Sequence, residues 1–155
     1  MSTASQTIQT RLSWQALIVA EARLWIGTPY LHQASVLGCG CDCLGLVRGV
    51  WRGLYGHEPE TTPDYTADWG EAKGEEHLLA AALRHFHPRD EGMIEAGELL
   101  LFRWQTGALV KHVGIATGQE TMVHAHAGAC VADVPFGIWT RKIVARFTFP
   151  EPVLS

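Results

Sequence analysis

Cys43 and His112 are the two residues of this chain best suited to covalent chemistry: a thiol to attack a carbonyl carbon and an imidazole to take its proton. Cys43 stands in the run Gly40-Cys41-Asp42-Cys43-Leu44-Gly45-Leu46, directly ahead of a helical pattern. Leu46, Val47, Val50, Trp51 and Leu54 follow at the i, i+3, i+4 spacing of one buried helix face, which places Cys43 in the first turn. There the helix dipole and unpaired backbone N–H groups favour thiolate over thiol, so the expected pKa lies below about 8.5. The base in turn needs a polar group that holds its tautomer. His112 opens the strand-like segment His112-Val113-Gly114-Ile115-Ala116, and His124 lies on the next one, Met122-Val123-His124-Ala125-His126. Antiparallel pairing would bring facing side chains of the two to about 5 Å, giving a Cys-His-His relay. His126 shares the face of His124 and is the alternative third member. Alternation aligns His112 with Gly114 and Ala116, whose small side chains would leave room for a substrate.

Each of these residues also has a plain structural use. A cysteine in apolar company most often packs a core. Cys39 and Cys41 read as loop or core residues, and Cys130 as a structural strand residue. A zinc site built from Cys39, Cys41, Cys43 and a histidine lacks the usual two- to four-residue spacing between ligands. Asp42 suits the N-cap of the nucleophile helix, and Tyr30 can pack its ring against the first helix. His32, His57, His77, His85 and His87 read as surface residues. Of the six tryptophans, Trp14, Trp25 and Trp51 fall on buried helix faces, while Trp104 and Trp139 stand at segment ends, where they could stack on a sugar.

The elements that must position these groups are helices first and strands second. The periodicity predicts an amphipathic helix over about Ser13 to Ile26, with Trp14, Leu17, Ile18, Leu24 and Trp25 on its apolar side, stopped by Gly27 and Pro29. Residues 28–42 read as an irregular loop into the nucleophile helix, which ends near Gly53 and Gly56. A proline-bearing connection from His57 to Trp69 leads to a third helix over about Glu71 to Phe86, its stripe being Leu78, Leu79, Ala82, Leu83 and Phe86. From Ile94 onward short apolar runs predict strands at Leu99–Trp104, His112–Thr117, Thr121–Ala125, Ala129–Val134 and Lys142–Phe149, with hairpins at Gly118-Gln119 and Ala127-Gly128. This order implies an α+β fold with an antiparallel sheet.

With 155 residues the chain fits one domain, its first ten or so residues flexible. A net charge of −4 with scattered basic residues offers no footprint for nucleic acid, and no apolar run is long enough for a membrane span. The start Met1-Ser2-Thr3-Ala4-Ser5-Gln6 has neither the cationic nor the apolar part of a secretory signal, so synthesis in a reducing cytoplasm is expected. Three cysteines at alternate positions are poorly placed to bridge one another, which argues against a disulfide framework.

Several motifs then occur in a familiar order: Gly27-Thr28-Pro29-Tyr30, Asp42-Cys43-Leu44-Gly45-Leu46-Val47, Ala96-Gly97-Glu98-Leu99, His112-Val113-Gly114-Ile115 and Val123-His124-Ala125. On these the chain resembles the NlpC/P60 family of cell-wall cysteine peptidases from about Ala16 to Val131. The resemblance implies a papain-like α+β fold, N-terminal helices packed on an antiparallel sheet, and hydrolysis of the D-glutamate–diamino acid bond of peptidoglycan stem peptides without metal or organic cofactor. By it Cys43 is the nucleophile, His112 the base and His124, rather than His126, the residue that orients it. It further implies that Tyr30 lends its hydroxyl to the oxyanion site and that Asp42 helps hold the amino end of the stem peptide. Leu44 departs from the family's usual serine, and Ala96-Gly97-Glu98 from its Pro-Gly-Asp. The longer stretches from Gly27 to Ser35 and from Cys41 to Trp51 look like the narrower group encoded with phage tails and gene transfer agents. That group implies phage-like tail-tip proteins as partners and delivery to the wall of another cell. Two rival readings are a structural tail-tip adaptor without activity and a related thiol amidase or acyltransferase.

Overall fold

Trp14, Ile18, Val19 and Ala22 are buried along one side of the first helix, α1 (Thr3–Arg23), with Trp25 completing that face just beyond its end. This face recurs at four- and three-residue steps, as an α-helix requires. Leu17 and Leu24, expected on it, lie on its flank and are exposed. The computed structural model, which describes residues 3–60, 77–104 and 110–152, begins α1 ten residues ahead of the expected start. Residues 3–13 are helical and exposed, and the hydroxyls of Thr7 and Thr10 bond back to the carbonyls of Thr3 and Gln6.

After α1 the chain turns through Gly27, whose φ of 91° is a left-handed value that glycine adopts without strain. The stretch read as irregular contains a small hairpin, β1 (Ser35–Val36) and β2 (Gly40–Cys41). It delivers the chain to α2 (Cys43–Tyr55), which ends at Gly56 in the left-handed conformation. Leu46, Val47, Val50 and Trp51 are buried as the spacing predicts, and Leu54 packs partly buried against them. A side chain at Gly49 would collide with the indole of Trp25, so glycine there lets α2 close on the end of α1. The described part of the third helix is α3 (His77–His85), followed by β3 (His87–Pro88). The first residues expected in that helix, the acidic pair Glu75 and Glu76, and Trp69 lie outside the described residues.

β4 (Leu99–Phe102), β5 (His112–Ala116), β6 (Thr121–His124), β7 (Ala132–Pro135) and β8 (Ile143–Thr148) join β3 in one antiparallel sheet of order β3-β8-β4-β5-β6-β7. Every residue of β4 and β5 is buried, because both faces of the sheet are covered. Leu99, Leu101, Val113, Ile115, Val123 and Phe147 meet the helices. Leu100, Phe102, Ala116 and Met122 face a second apolar layer closed by Phe136 and by Trp139 of a 3₁₀ segment, Gly137–Lys142. Gly114 and Ala116 therefore do not open space for a substrate: a side chain at Gly114 would run into Met122, and Ala116 packs in that outer layer. The Trp14 indole donates to the Phe149 carbonyl (2.9 Å) and the Tyr55 hydroxyl to that of Pro150, tying the end of the sheet to the helices. No helix among the described residues is long and apolar enough to cross a membrane.

Candidate active site

Asp42 fixes where the nucleophile sits. It is the N-cap of α2, its Oδ1 accepting from the Gly45 N–H at 2.7 Å, while Oδ2 accepts from the Gln33 N–H at 2.8 Å. One buried carboxylate thus staples the helix start to the loop before the hairpin. Gly45 completes the fit, since a side chain there would collide with the Ala34 carbonyl. At 2% exposure, with both oxygens held by its own backbone and His32 Nδ1 3.9 Å from Oδ2, Asp42 is a scaffold residue. This cap role is compatible with the place at the amino end of a stem peptide that the family resemblance implies for it.

Cys43 is the first residue of α2 and is 5% exposed. Its sulfur lies 3.8 Å from the Lys111 carbonyl oxygen, and the N–H groups of Val113, Leu44 and Cys43 itself point at it. The thiol is thus seated against the backbone on either side of His112. Among the described residues no hydrogen bond joins the sulfur to the His112 ring. Burial, reinforced by the Asp42 carboxylate, pushes the thiol up to about 12, and the three amides pull it only partly back. The sequence-based expectation of a lowered pKa is corrected here: a helix N-terminus stabilises thiolate, but desolvation and an adjacent anion outweigh it.

His112 and His124 meet diagonally across the adjacent strands β5 and β6, whose register pairs Ile115 with Val123 and Ala116 with Met122. His112 Nε2 lies 2.9 Å from His124 Nδ1, with the rings edge to face. Both are buried, at 5% and 6% exposure. Burial first, then the neighbouring histidines, push His112 down to about 3, and burial and His126 push His124 down to about 4. The resting site therefore holds a neutral thiol and neutral imidazoles. His126 is exposed, and its ring stacks on His124 with centroids 5.7 Å apart.

Tyr30 is half-buried at the mouth of this group. Its hydroxyl is raised by burial and then by the nearby Cys43, so it stays a neutral donor beside the sulfur. Leu44 points into the core beside α3, lining an apolar cavity with Val47, Trp51, Leu78 and Val113. A tryptophan pair overlooked as part of the site roofs the histidines. Trp104 stacks on the His112 ring at 5.4 Å, and Trp139 meets His124 at 5.5 Å and His126 at 6.2 Å. Their position at segment ends was the only signal in the sequence. Cys39 and Cys130 are exposed, Cys41 and Cys43 buried, and all four are free thiols. Cys130 is thus a surface residue just before β7, not a packed strand residue. Among the described residues the group with metal-ligating spacing is His112, His124 and His126, and no cysteine belongs to it.

Comparison with known proteins identifies the family and the fold. A sequence model of the NlpC/P60 family matches residues 27–147. No curated protein matches the chain significantly. Among solved structures, the NlpC/p60 domain of the peptidoglycan hydrolase SagA is 24% identical over 87% of this chain and 98% of that one, with a TM-score of 0.62. An NlpC/P60 family protein from Bacillus cereus is 18% identical over 85% of this chain, with a TM-score of 0.59. NlpC2 from Trichomonas vaginalis is likewise 18% identical over 85%, with a TM-score of 0.60. The chain spans 39% and 44% of the latter two.

Proposed function

Since the chain belongs to the NlpC/P60 family, we propose that it is a cysteine peptidase that cleaves peptidoglycan stem peptides, with Cys43 as nucleophile, His112 as base and His124 as its positioning residue. One observation carries the reading. The 2.9 Å contact to His124 occupies Nε2 of His112, while the thiol sits against the backbone flanking that same residue, which leaves Nδ1 as the nitrogen to receive its proton. A core cysteine with no chemical role would not require two buried, hydrogen-bonded histidines at this spot.

The chemistry follows from the neutral resting state. As Sγ attacks the scissile carbonyl carbon, its proton passes to Nδ1 of His112, and the positive charge that develops is spread through Nε2–H to His124. The tetrahedral oxyanion is met by the Cys43 backbone N–H at the start of α2, which turns from the sulfur to the new oxyanion, and by the neutral Tyr30 hydroxyl. Imidazolium His112 then protonates the leaving amine, giving a thioester, and water activated by neutral His112 releases the acid. No metal or organic cofactor enters these steps. The D-glutamate–diamino acid bond is the bond the family resemblance proposes, and the peptidoglycan hydrolase among the structural relatives supports the same substrate class. Delivery on a phage-like tail, in contact with tail-tip proteins, is supported by the narrower resemblance around residues 27–35 and 41–51. Incubating the purified protein with peptidoglycan and weighing the released fragments by mass spectrometry tests both activity and bond. Fragments that need Cys43 are expected; an inert wild type would favour the adaptor reading.

A further inference from the structure

His124 and His126 lie two residues apart at the end of β6, and His112 lies on the neighbouring antiparallel strand, so three imidazoles converge from two strands. One ring nitrogen from each falls within 4.8 Å of the others. We propose that His112, His124 and His126 form an open three-histidine site for a zinc-type divalent metal ion. Zinc bonded to imidazole at about 2.0–2.1 Å in tetrahedral geometry sets its donor nitrogens about 3.4 Å apart. The 2.9 Å pair must open slightly and the third nitrogen close in, which small ring rotations achieve. The donor set is nitrogen only. That favours zinc, copper or nickel over calcium or magnesium, which demand oxygen ligands. Trp104 stacked on His112 and Trp139 against the other two rings hold the imidazole planes, and exposed His126 gives the ion an entry path. Three protein ligands leave a fourth position for water.

The metal and the peptidase chemistry exclude one another, a consequence that rests on the function proposed above whereas the binding itself does not. For catalysis His112 must carry its proton on Nε2, donating to His124, so that Nδ1 can accept from the thiol. A metal on Nε2 places that proton on Nδ1 instead. The imidazole then has no lone pair for Cys43, and zinc switches the enzyme off without touching the sulfur.

Cobalt(II) is the spectroscopic probe, added to the chelator-treated full chain. The expected result is one bound ion with tetrahedral visible bands and no sulfur-to-metal charge-transfer band, displaced by zinc. His126→Ala, an exposed substitution that leaves the buried pair in place, should weaken binding at least about tenfold. Stem-peptide cleavage should fall as zinc fills the site and return with chelator, and His126→Ala should need at least about tenfold more zinc for the same fractional loss of its own activity. No binding at micromolar metal, binding unchanged in His126→Ala, or a thiolate band abolished by Cys39→Ala or Cys130→Ala would overturn the site. An active enzyme that binds the ion yet ignores zinc would overturn the switch. If the chelated wild type cleaves nothing, the peptidase reading fails, and the cobalt spectrum alone decides the site.

Discussion

The β4–β5 ladder buries an ionisable group at each of its two ends, and the two are handled in opposite ways. At one end Glu98, 1% exposed, stands just ahead of β4. It accepts from Arg146 at 2.7 and 3.0 Å and from the Glu95 N–H at 2.6 Å, with Arg89 Nε 3.0 Å away. At the other end His112, paired with Phe102 across the ladder, has a neutral imidazole at 2.9 Å and aromatic rings around it. A buried charge persists where opposite charge and hydrogen bonds surround it; without them the group gives up its charge. The fold therefore uses a full set of partners to hold Glu98 as a structural strut. It withholds an anionic partner from His112, leaving an uncharged base that gains charge only during a reaction.

The largest expected effect isolates the reactive end. Cys43→Ala should abolish stem-peptide cleavage while leaving circular dichroism and melting temperature close to wild type, because alanine fits the first helical turn and removes one sulfur. Cys39→Ala and Cys41→Ala should stay active. Turnover kept in Cys43→Ala, or lost alike in all three, would sink the nucleophile assignment.

Next comes the histidine pair. His124→Ala should lower kcat by about two to four orders of magnitude with a modest change in KM, since its bond to His112 matters most as charge develops there. His126→Ala, measured with chelator, should cost far less. His124→Asn or His124→Gln should recover part of the rate, because an amide oxygen can accept the same N–H. Steady-state kinetics on one defined stem peptide decides this, and a severe loss confined to His126→Ala would reverse the assignment.

The structural end answers in stability instead. Glu98→Ala takes the buried carboxylate away from half-buried Arg146 and Arg89, which keep the Gly92 and Met93 carbonyls and Glu95 as partners. The expected loss therefore lies at the low end of, or below, the roughly 3–5 kcal/mol that removing one partner of a fully buried pair costs. Urea titration should show that drop. Cleavage per folded molecule should be retained, since Glu98 and His112 are at opposite ends of the ladder; a selective loss of kcat at full stability would break the division between them.

What sequence could foresee divides along similar lines. The buried face of α2, the cap at Asp42 and the antiparallel run of strands were legible because each follows from a local period or a capping preference. The outer layer over Phe102 and Met122 was not, since Phe136 and Trp139 reach it from just before and within a 3₁₀ segment that has no apolar period of its own. Leu17 and Leu24 were misplaced because an apolar side chain on the flank of a helix scores like one at its centre. The raised Cys43 thiol was missed for another reason. A helix start is visible in sequence, but how deeply it is buried, and that this burial together with Asp42 outweighs the amides, are tertiary facts.

The most gradual effect is a pH dependence of stability, and it belongs to the histidine end. His112 and His124 fall from the ordinary 6.5 to about 3 and about 4 in the folded chain. Above pH 6.5 both are neutral folded or unfolded, and they add no pH dependence. Below it the unfolded chain binds protons that the folded site refuses, so stability drops as pH falls, and goes on dropping until the folded values are reached near 4 and 3. The slope for each group is at most about 1.4 kcal/mol per pH unit, and since the folded rings stay neutral down to about pH 5 the two contributions add. Between pH 6.5 and 5 the expected loss is about 3 kcal/mol, read by urea titration in the presence of chelator. The double variant His112→Gln, His124→Gln cannot take up these protons in either state and should show a flatter curve, whatever its absolute stability. An equal slope in wild type and variant would mean that the two imidazoles already charge in the folded chain. The contrast between the ends of the ladder would then be one of partners and not of protonation.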